Sequence, residues 1–116
     1  MVVDSQMTEL EVDCLFQALA DATRRDILRR AIERGESVST ISRRYRMSFA
    51  AVQKHVAVLE RAALVIKERR GREQIVHANG ATLGRVATLL DSYEQLWIQR
   101  AIRIEGFLAK QEGVTP

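Results

Sequence analysis

Apolar residues recur every three or four positions through the first half of the chain, which is the spacing of amphipathic helices. Thr8 and Glu11 have the separation of a capping box, so the first helix begins there and runs to about Ala20. Asp21 is suited to cap a second helix that continues to about Arg34. The apolar faces predicted for these helices are Leu10, Cys14, Leu15, Ala18 and Leu19, then Ile27, Leu28, Ala31 and Ile32.

The following stretch predicts two helices joined by a tight turn. Gly35 stands where a helix often ends in a left-handed residue. A short third helix starts at Ser37 or Ser39 and closes at Met47, and Ser48 caps a fourth helix. The positions predicted to face the core are Val38, Ile41 and Tyr45, then Val52, Val56, Leu59 and Ala63.

The pattern then changes from helical spacing to alternation. Residues 65–69 and 73–77 alternate on either side of a turn that contains Gly71, which predicts a β-hairpin. A long helix without internal proline is predicted from Thr82 to about Lys110. Its apolar stripe has eight positions, namely Leu83, Val86, Leu90, Tyr93, Trp97, Ala101, Ile104 and Leu108.

These elements predict a mainly α-helical fold with a small β-hairpin, the winged helix-turn-helix. One domain is expected over residues 8–110, with flexible tails at 1–7 and 111–116. The last helix carries more apolar surface than so small a domain can cover, so we expect a dimer built on it and on the first helix. The residues expected at the dimer interface are Leu10, Cys14, Leu83, Val86, Leu90, Tyr93, Trp97, Ala101, Ile104 and Leu108.

Positive charge is concentrated in the middle of the chain. The net charge of +3 is modest, yet residues 22–72 carry 14 Lys or Arg against 5 Asp or Glu. The remaining residues carry 4 basic against 10 acidic side chains. A basic centre between acidic ends is expected where one face of a protein meets phosphates.

The composition excludes several classes of protein. With 47% hydrophobic and 28% charged residues, the 116-residue chain has the content of a folded domain. It lacks the roughly 18 uninterrupted apolar residues of a membrane span, and its N-terminus is too polar for a secretory signal. Cys14 is the only cysteine, so a reducing cytoplasm is the expected location. There is no Gly-rich phosphate loop and no nucleophile with an evident base, so no enzyme is predicted.

Three blocks of sequence resemble the ArsR family of bacterial winged-helix repressors. They are residues 19–28, residues 48–59, and residues 62–65 leading into 70–72. The spacing of the blocks is more specific than any single one, and the resemblance covers residues 15–108. It implies a homodimeric transcriptional regulator, usually an autorepressor, that binds an inverted repeat in double-stranded DNA.

Trp97 and residues 100–105 resemble the metal-free branch of that family. Metal-sensing members use cysteines in the third helix, or Asp and His ligands in the last. Residues 38–45 contain no cysteine and the last helix contains no histidine, so the resemblance implies neither a metal nor a cofactor. His55 and His77 are also too few and too far apart to form a zinc site with one cysteine.

The fourth helix is the expected recognition helix. Helix-turn-helix proteins lay the N-terminal part of this helix in the major groove, where polar side chains reach base edges. Gln53 suits adenine and Lys54 suits guanine or a phosphate, although a solvated helix face is the alternative. Phe49 either touches a thymine methyl group or packs inward against Tyr45. The residues expected to contact DNA are Ser48, Phe49, Ala51, Gln53, Lys54 and His55.

Two arginine clusters are expected at the DNA backbone or in the minor groove. They are Arg69, Arg70 and Arg72 at the tip of the hairpin and Arg43, Arg44 and Arg46 at the end of the third helix. Arg24 and Arg25 open the second helix. One of them holds the DNA backbone, or else they form ion pairs with Asp21 or Asp26.

Two other functions fit the same elements. The first is an adaptor that docks a protein partner with its long helix, which the charge imbalance disfavours. The second is a sensor released from DNA by a small molecule bound near Tyr93 and Trp97, which are otherwise dimer core. The operator sequence, the regulated genes and the identity of any effector are not encoded in a recognisable motif.

Overall fold

Five helices and a three-stranded antiparallel sheet make up the part of the chain described by the computed structural model, residues 7–114, with side chains as far as Gln111. The elements in order are α1 (Glu9–Leu19), α2 (Ala22–Glu33), β1 (Glu36–Ser37), α3 (Val38–Ser42), α4 (Phe49–Arg61), β2 (Val65–Arg70), β3 (Glu73–Ala78) and α5 (Gly80–Val114). The strand order is β1-β3-β2. The fold is therefore the predicted winged helix-turn-helix with one additional short strand.

Side-chain caps fix where the first four helices begin. Thr8 and Glu11 form the predicted capping box, each side chain bonded to the other's backbone N–H. Asp21 accepts from the backbone N–H of Arg24 at 3.0 Å. Ser37, rather than Ser39, caps α3, and Ser48 caps α4 as predicted.

Strand β1 has no counterpart in the sequence prediction, and it explains why the left-handed ending predicted at Gly35 is wrong. Among residues 7–114, only Ala63 and Gly71 have a positive φ. Arg34 is extended instead, and the chain runs directly into β1, where Glu36 pairs with Val76 of β3. Glycine is needed at position 35 because the backbone there passes close to His77. A Cβ atom would lie 2.6 Å from the imidazole ring.

The core lies where the first four helices meet the sheet. Its buried apolar side chains are Leu15, Ala18, Ile27, Leu28, Ala31, Val38, Ile41, Val52, Val56, Leu59, Ala62, Leu64, Val65 and Val76. Two predicted core positions are wrong. Ile32 is 53% exposed because it lies at the edge of the α2 stripe beyond Leu28, and Ala63 is exposed because α4 ends at Arg61. Leu10, predicted both on the apolar face of α1 and at a dimer interface, is 71% exposed.

The end of α4 is a Schellman motif with alanine at the position that usually holds glycine. The N–H of Leu64 donates to the carbonyl oxygen of Leu59 at 3.0 Å, and the N–H of Ala63 donates to that of Glu60 at 2.9 Å. Ala63 has a φ of 60° as a result. The motif turns the chain so that Leu64 enters the core and β2 can begin.

Helix α5 starts two residues earlier than predicted and continues as far as Val114. It has 35 residues and is therefore about 52 Å long. Leu83 and Val86 in its first turns pack against the core, and the rest extends away, so that the molecule measures 77 × 30 × 23 Å. Within residues 7–114, no helix is both long enough and apolar enough to cross a membrane. Residues 1–6 and 115–116 of the predicted tails lie outside the described residues.

Candidate nucleic-acid interface

The turn between α3 and α4 is tied to α2 by hydrogen bonds to Asp26. Helix α3 ends at Ser42 rather than at the predicted Met47, so Tyr45 lies in the turn. The Tyr45 hydroxyl donates to Asp26 Oδ2 at 2.5 Å, Arg30 Nε donates to the same oxygen at 3.0 Å, and Arg29 donates to Oδ1 at 2.8 Å. These donors, above all Tyr45, lower the pKa of Asp26 to about 2. The cluster fixes the direction in which α4 leaves the turn.

The side of α4 opposite the core presents part of the predicted reading surface. Lys54 is exposed, and Gln53 and Ala51 are half-buried one turn after the start of the helix. The Ser48 hydroxyl oxygen accepts from the N–H of Ala51 at 3.1 Å, so it caps the helix while its own proton is free to point outward. These four residues follow one another along the first two turns of α4.

His55 is placed differently from the other predicted contact residues. It lies on the flank of α4 that faces the junction of α1 and α2, and its side chain is only 23% exposed. Its Nδ1 atom lies 3.3 Å from Arg24 Nη1 and 3.9 Å from Asp21 Oδ2. The structure therefore groups His55 with Arg24 and Asp21, away from Gln53 and Lys54.

Arg24 and Arg25 both bind the end of α1. Arg24 donates from Nε and Nη2 to the carbonyl oxygens of Ala18 and Gln17, at 2.9 and 3.0 Å. Arg25 donates to the carbonyl oxygen of Leu19 at 2.7 Å. The hydrogen-bond acceptors of both side chains are thus carbonyl groups at the end of a helix, which are strong acceptors, rather than the Asp21 or Asp26 carboxylates of the predicted ion pairs. The backbone N–H of Arg24, followed by its charge, still lowers the pKa of Asp21.

The two faces of the β2–β3 hairpin, the wing, separate the three predicted arginines. Residues paired across an antiparallel ladder share a face, and neighbours along a strand lie on opposite faces. Arg69 pairs with Gln74 and lies on the face that carries Val76 into the core. Arg70 lies on the other face, where it donates to Glu68 at 2.8 Å. The Glu68 carboxylate also bonds the His77 ring, and the His77 hydrogen bond, with Arg70, lowers the pKa of Glu68.

A cleft of about 210 Å³ separates the wing from the start of α3 and α4. Its lining consists of Val38, Ser39, Phe49, Gln53, Arg69, Arg72, Glu73 and Gln74. Lys67 Nζ lies 3.4 Å from Glu60 Oε1, an ion pair that joins β2 to the C-terminal end of α4. Arg69 and Arg72 thus lie beside the predicted base-reading residues, whereas Arg70 does not.

Phe49 joins the lining of this cleft instead of the core. It is 47% exposed and is absent from the side chains packed against the core, among which Tyr45 is included. Of the two alternatives for Phe49, packing inward against Tyr45 is therefore the one that the structure does not support.

The arginines after α3 differ in how they are engaged. Arg44 donates to Glu36 Oε2 at 2.7 Å, which ties the turn to β1. Arg43 donates to the hydroxyl of Thr40 at 3.1 Å, and Arg46 is exposed. The sequence offered no sign of the Arg44 contact, since β1 itself was not predicted.

A second surface lies on α5, beyond the part that packs on the core. Of the predicted stripe, Leu90, Tyr93, Trp97, Ile104 and Leu108 are exposed and Ala101 is half-buried. Four more large apolar side chains are exposed on the same part of the helix, namely Leu96, Ile98, Ile102 and Phe107. These four residues lie beside the predicted stripe, so a search that required helical spacing missed them. The hydropathy of the sequence alone would have identified them.

Solved structures with this arrangement are transcriptional regulators. The chain superposes with a TM-score of 0.75 on an ArsR-like transcriptional regulator from Rhodococcus sp. RHA1, which is 32% identical and is matched over 84% of this chain and 92% of that one. The chain belongs to the ArsR family of transcriptional regulators. It is accordingly a transcriptional regulator with a DNA-binding winged helix-turn-helix fold, and it is not an enzyme.

Further relatives of this ArsR protein agree. A second ArsR family regulator superposes with a TM-score of 0.73 at 26% identity, over 78% of this chain and 94% of that one. The HTH-type transcriptional regulator YuzN of Bacillus subtilis (strain 168) is 37% identical over an alignment of 79 positions, and the match covers 61% of this chain and 85% of the relative. The homodimeric DNA-binding domain of Mb0332 from Mycobacterium bovis shares the fold at 22% identity, with a TM-score of 0.61 over 73% of this chain and 79% of that one. No family model matches the chain.

The structure of this ArsR protein was searched for side chains that could bind a metal ion together. Over residues 7–114, no three side chains of His, Cys, Asp or Glu come close enough together to hold a metal ion. Cys14 is a free, half-buried thiol that lines a separate cavity of about 250 Å³ with Leu10 and Arg61.

Proposed function

We propose that this ArsR regulator is a homodimeric autorepressor that acts in the cytoplasm on an inverted-repeat operator. Helix α4 of each protomer enters a major groove, and the wing binds the backbone or the minor groove beside it. The observation that carries the proposal is the cleft of about 210 Å³ between α4 and the wing, which has Gln53 on one wall and Arg69 and Arg72 on the other.

The chemistry of the two walls supports different roles in DNA binding. On α4, Gln53 suits the edge of an adenine, and the exposed Lys54 suits a guanine or a phosphate. On the wing, Arg69 and Arg72 have the fixed donor geometry that binds phosphate. Ser48 and Ala51 are short enough for the helix to approach the bases closely. Arg43 and Arg46 are further candidates for phosphate contacts, on the side of the turn.

The exposed apolar surface of α5 supports the dimer. Trp97 is 61% exposed and has Tyr93 and Leu108 on the same stripe, an arrangement that is costly unless a partner covers it. Pairing of α5 with its symmetry mate, with Leu10 of α1 at the edge, would bury this surface in a closed two-fold dimer. The two recognition helices would then face major grooves about 34 Å apart on one side of the duplex.

Operator binding is tested with fluorescent duplexes from the region upstream of the protein's own gene. We expect one duplex to bind with a Kd of about 10⁻⁸ M or tighter, and a shuffled duplex of the same composition to bind at least about 10³-fold more weakly. The specific affinity should fall by about 10³-fold or more between about 50 and 200 mM salt, because bound phosphates release counterions. Sedimentation at micromolar concentration should give the mass of a dimer.

Repression is tested with a reporter gene driven by the same promoter, whose expression should rise when the regulator is deleted. Equal affinity for native and shuffled duplexes, or affinity that does not respond to salt, would favour the adaptor function. A lone subunit at micromolar concentration would refute the dimer.

A further inference from the structure

Phe49 is an aromatic side chain exposed on an otherwise polar, basic surface. It is the first residue of α4, directly after the Ser48 cap, and about half of its surface is exposed. Covering the exposed part of this ring with an apolar group would be favourable. Its surroundings decide which ligand could provide that group.

The neighbours of Phe49 define what that ligand must carry. Gln53 lies one helical turn further along, so the two side chains share one side of α4. Arg69 and Arg72 line the opposite wall of the same cleft. A group held there should offer an apolar patch to Phe49, a hydrogen-bonding edge to Gln53 and negative charge to the arginines.

Duplex DNA meets all three requirements at a thymine beside an adenine. In the major groove the 5-methyl group of thymine is the one apolar group on a base edge, and adenine presents the acceptor and donor that match a glutamine amide. We infer that Phe49 reads a thymine methyl group in each operator half-site, with Gln53 on a neighbouring adenine. This assignment rests on the proposed function and makes Phe49 a specificity-determining residue.

The test removes the methyl group from the DNA rather than from the protein. The operator is first obtained by selection from random duplexes with the full-length protein. Each thymine of a half-site is then replaced in turn by deoxyuridine, which lacks only the 5-methyl group, and Kd is measured by fluorescence anisotropy. We expect one thymine whose replacement weakens binding by about four-fold, the factor expected for one buried methyl group.

The variant Phe49→Ala should bind the thymine and deoxyuridine duplexes equally, and Phe49→Leu should retain part of the difference. Ile66→Ala is the matched control, because Ile66 is a similarly exposed apolar residue on the face of the wing that carries His77, away from the cleft. It should keep the full four-fold ratio. A duplex with 5-methylcytosine at the sensitive position should bind the wild-type protein more tightly than the same duplex with cytosine there.

Two outcomes would overturn the inference. In the first, no deoxyuridine replacement changes the Kd of the wild-type protein. In the second, Phe49→Ala keeps the wild-type ratio of Kd between the deoxyuridine and thymine duplexes. If Phe49→Ala does not fold, Phe49→Leu and the wild-type deoxyuridine scan decide the question. A failure of the proposed function looks different, because selection would then yield no preferred sequence at all.

Discussion

Arg24 donates from Nη1 to His55 Nδ1 at 3.3 Å, and this contact joins the recognition helix to the end of α1. Arginine has no acceptor, so the guanidinium group is the donor in this hydrogen bond. The remaining donors of the same guanidinium reach the carbonyl oxygens of Ala18 and Gln17. The Arg24 side chain thus joins α2, to which it belongs, to both α1 and α4, and His55 is the residue of α4 that it contacts.

Replacing Arg24 with alanine should therefore lower the free energy of unfolding by about 2 kcal/mol, since three acceptors, two of them in half-buried contacts, lose a charged donor together. Arg25→Ala is the matched control, because the Arg25 side chain is exposed and, within residues 7–111, has a single hydrogen bond, to the carbonyl oxygen of Leu19. Its effect should be less than half as large. Urea unfolding of the two variants makes the comparison, and equal losses would contradict the role given to Arg24.

Asp26 predicts a dependence of stability on acid pH. Its pKa is about 2 in the folded protein, below the ordinary value of 3.8, so the unfolded chain binds the proton more readily. The stabilisation is therefore complete above about pH 5 and is lost as the pH falls from about 4 to about 2. Asp26 is 32% exposed, so after allowance for solvent screening we expect about 1 kcal/mol.

The measurement compares urea unfolding of the wild type and Asp26→Asn at neutral pH, pH 5 and pH 3. The difference in the free energy of unfolding between the wild type and Asp26→Asn should be smaller at pH 3 than at pH 5 or neutral pH. Tyr45→Phe removes the largest cause of the shift, so it should move the acid transition to higher pH while Arg29 and Arg30 retain the remainder. Parallel profiles for the wild type and Asp26→Asn would refute the prediction.

The features predicted correctly from the sequence are those with local signals. The caps at Thr8, Asp21 and Ser48 and the turn at Gly71 each depend on residues within three or four positions. Strand β1 was missed because two residues carry no period of their own, and its partner β3 lies about forty residues away. The same limit applies to the Asp26–Tyr45 bond, which no spacing rule anticipates.

Part of the candidate site could have been resolved further from the sequence. The predicted strand ends at Arg69, whereas β2 continues to Arg70, and on one strand these neighbours must lie on opposite faces. Treating the wing arginines as one group ignored that rule. The position of His55 could not be found this way, because its partner Arg24 lies on another helix, 31 residues earlier.

The left-handed Ala63 predicts a stabilising substitution. Alanine at φ 60° is strained by its Cβ atom, whereas glycine is not. Ala63→Gly should raise the free energy of unfolding by about 1 kcal/mol, even though glycine also gains freedom in the unfolded chain. Ala62→Gly is the control: Ala62 is buried at a φ of −82°, so glycine there should destabilise. A lower melting temperature for Ala63→Gly would contradict the strain.

Trp97 predicts how the proposed dimer is broken. A carboxylate placed in the centre of the α5 stripe would be buried without a partner on both protomers. Trp97→Glu should therefore give a monomer by sedimentation at micromolar concentration and should weaken operator binding with it. Gln99→Glu adds the same charge on the opposite side of α5 and should leave the dimer intact. If Trp97→Glu remains dimeric, α5 pairs through another face.

The two faces of the wing predict that its arginines contribute unequally to DNA binding. Arg69 and Arg72 line the cleft beside α4, whereas Arg70 is bonded to Glu68 on the other face. Alanine at both Arg69 and Arg72 should weaken binding to the operator and to a shuffled duplex alike, because phosphate contacts carry no sequence information. The slope of log Kd against log salt should fall by about 1 for each contact removed.

Arg70→Ala is the matched control for the wing, since it removes an identical charge from the same hairpin. Each alanine variant loses one positive charge, so long-range attraction to DNA weakens equally in all of them. A difference in affinity between the variants must therefore come from direct contact with DNA. We expect Arg70→Ala to keep a slope close to that of the wild type and to lower affinity less than either Arg69→Ala or Arg72→Ala. If Arg70→Ala had the largest effect of the three, the wing would meet the duplex with its Glu68 face, and the cleft would not be the site of contact.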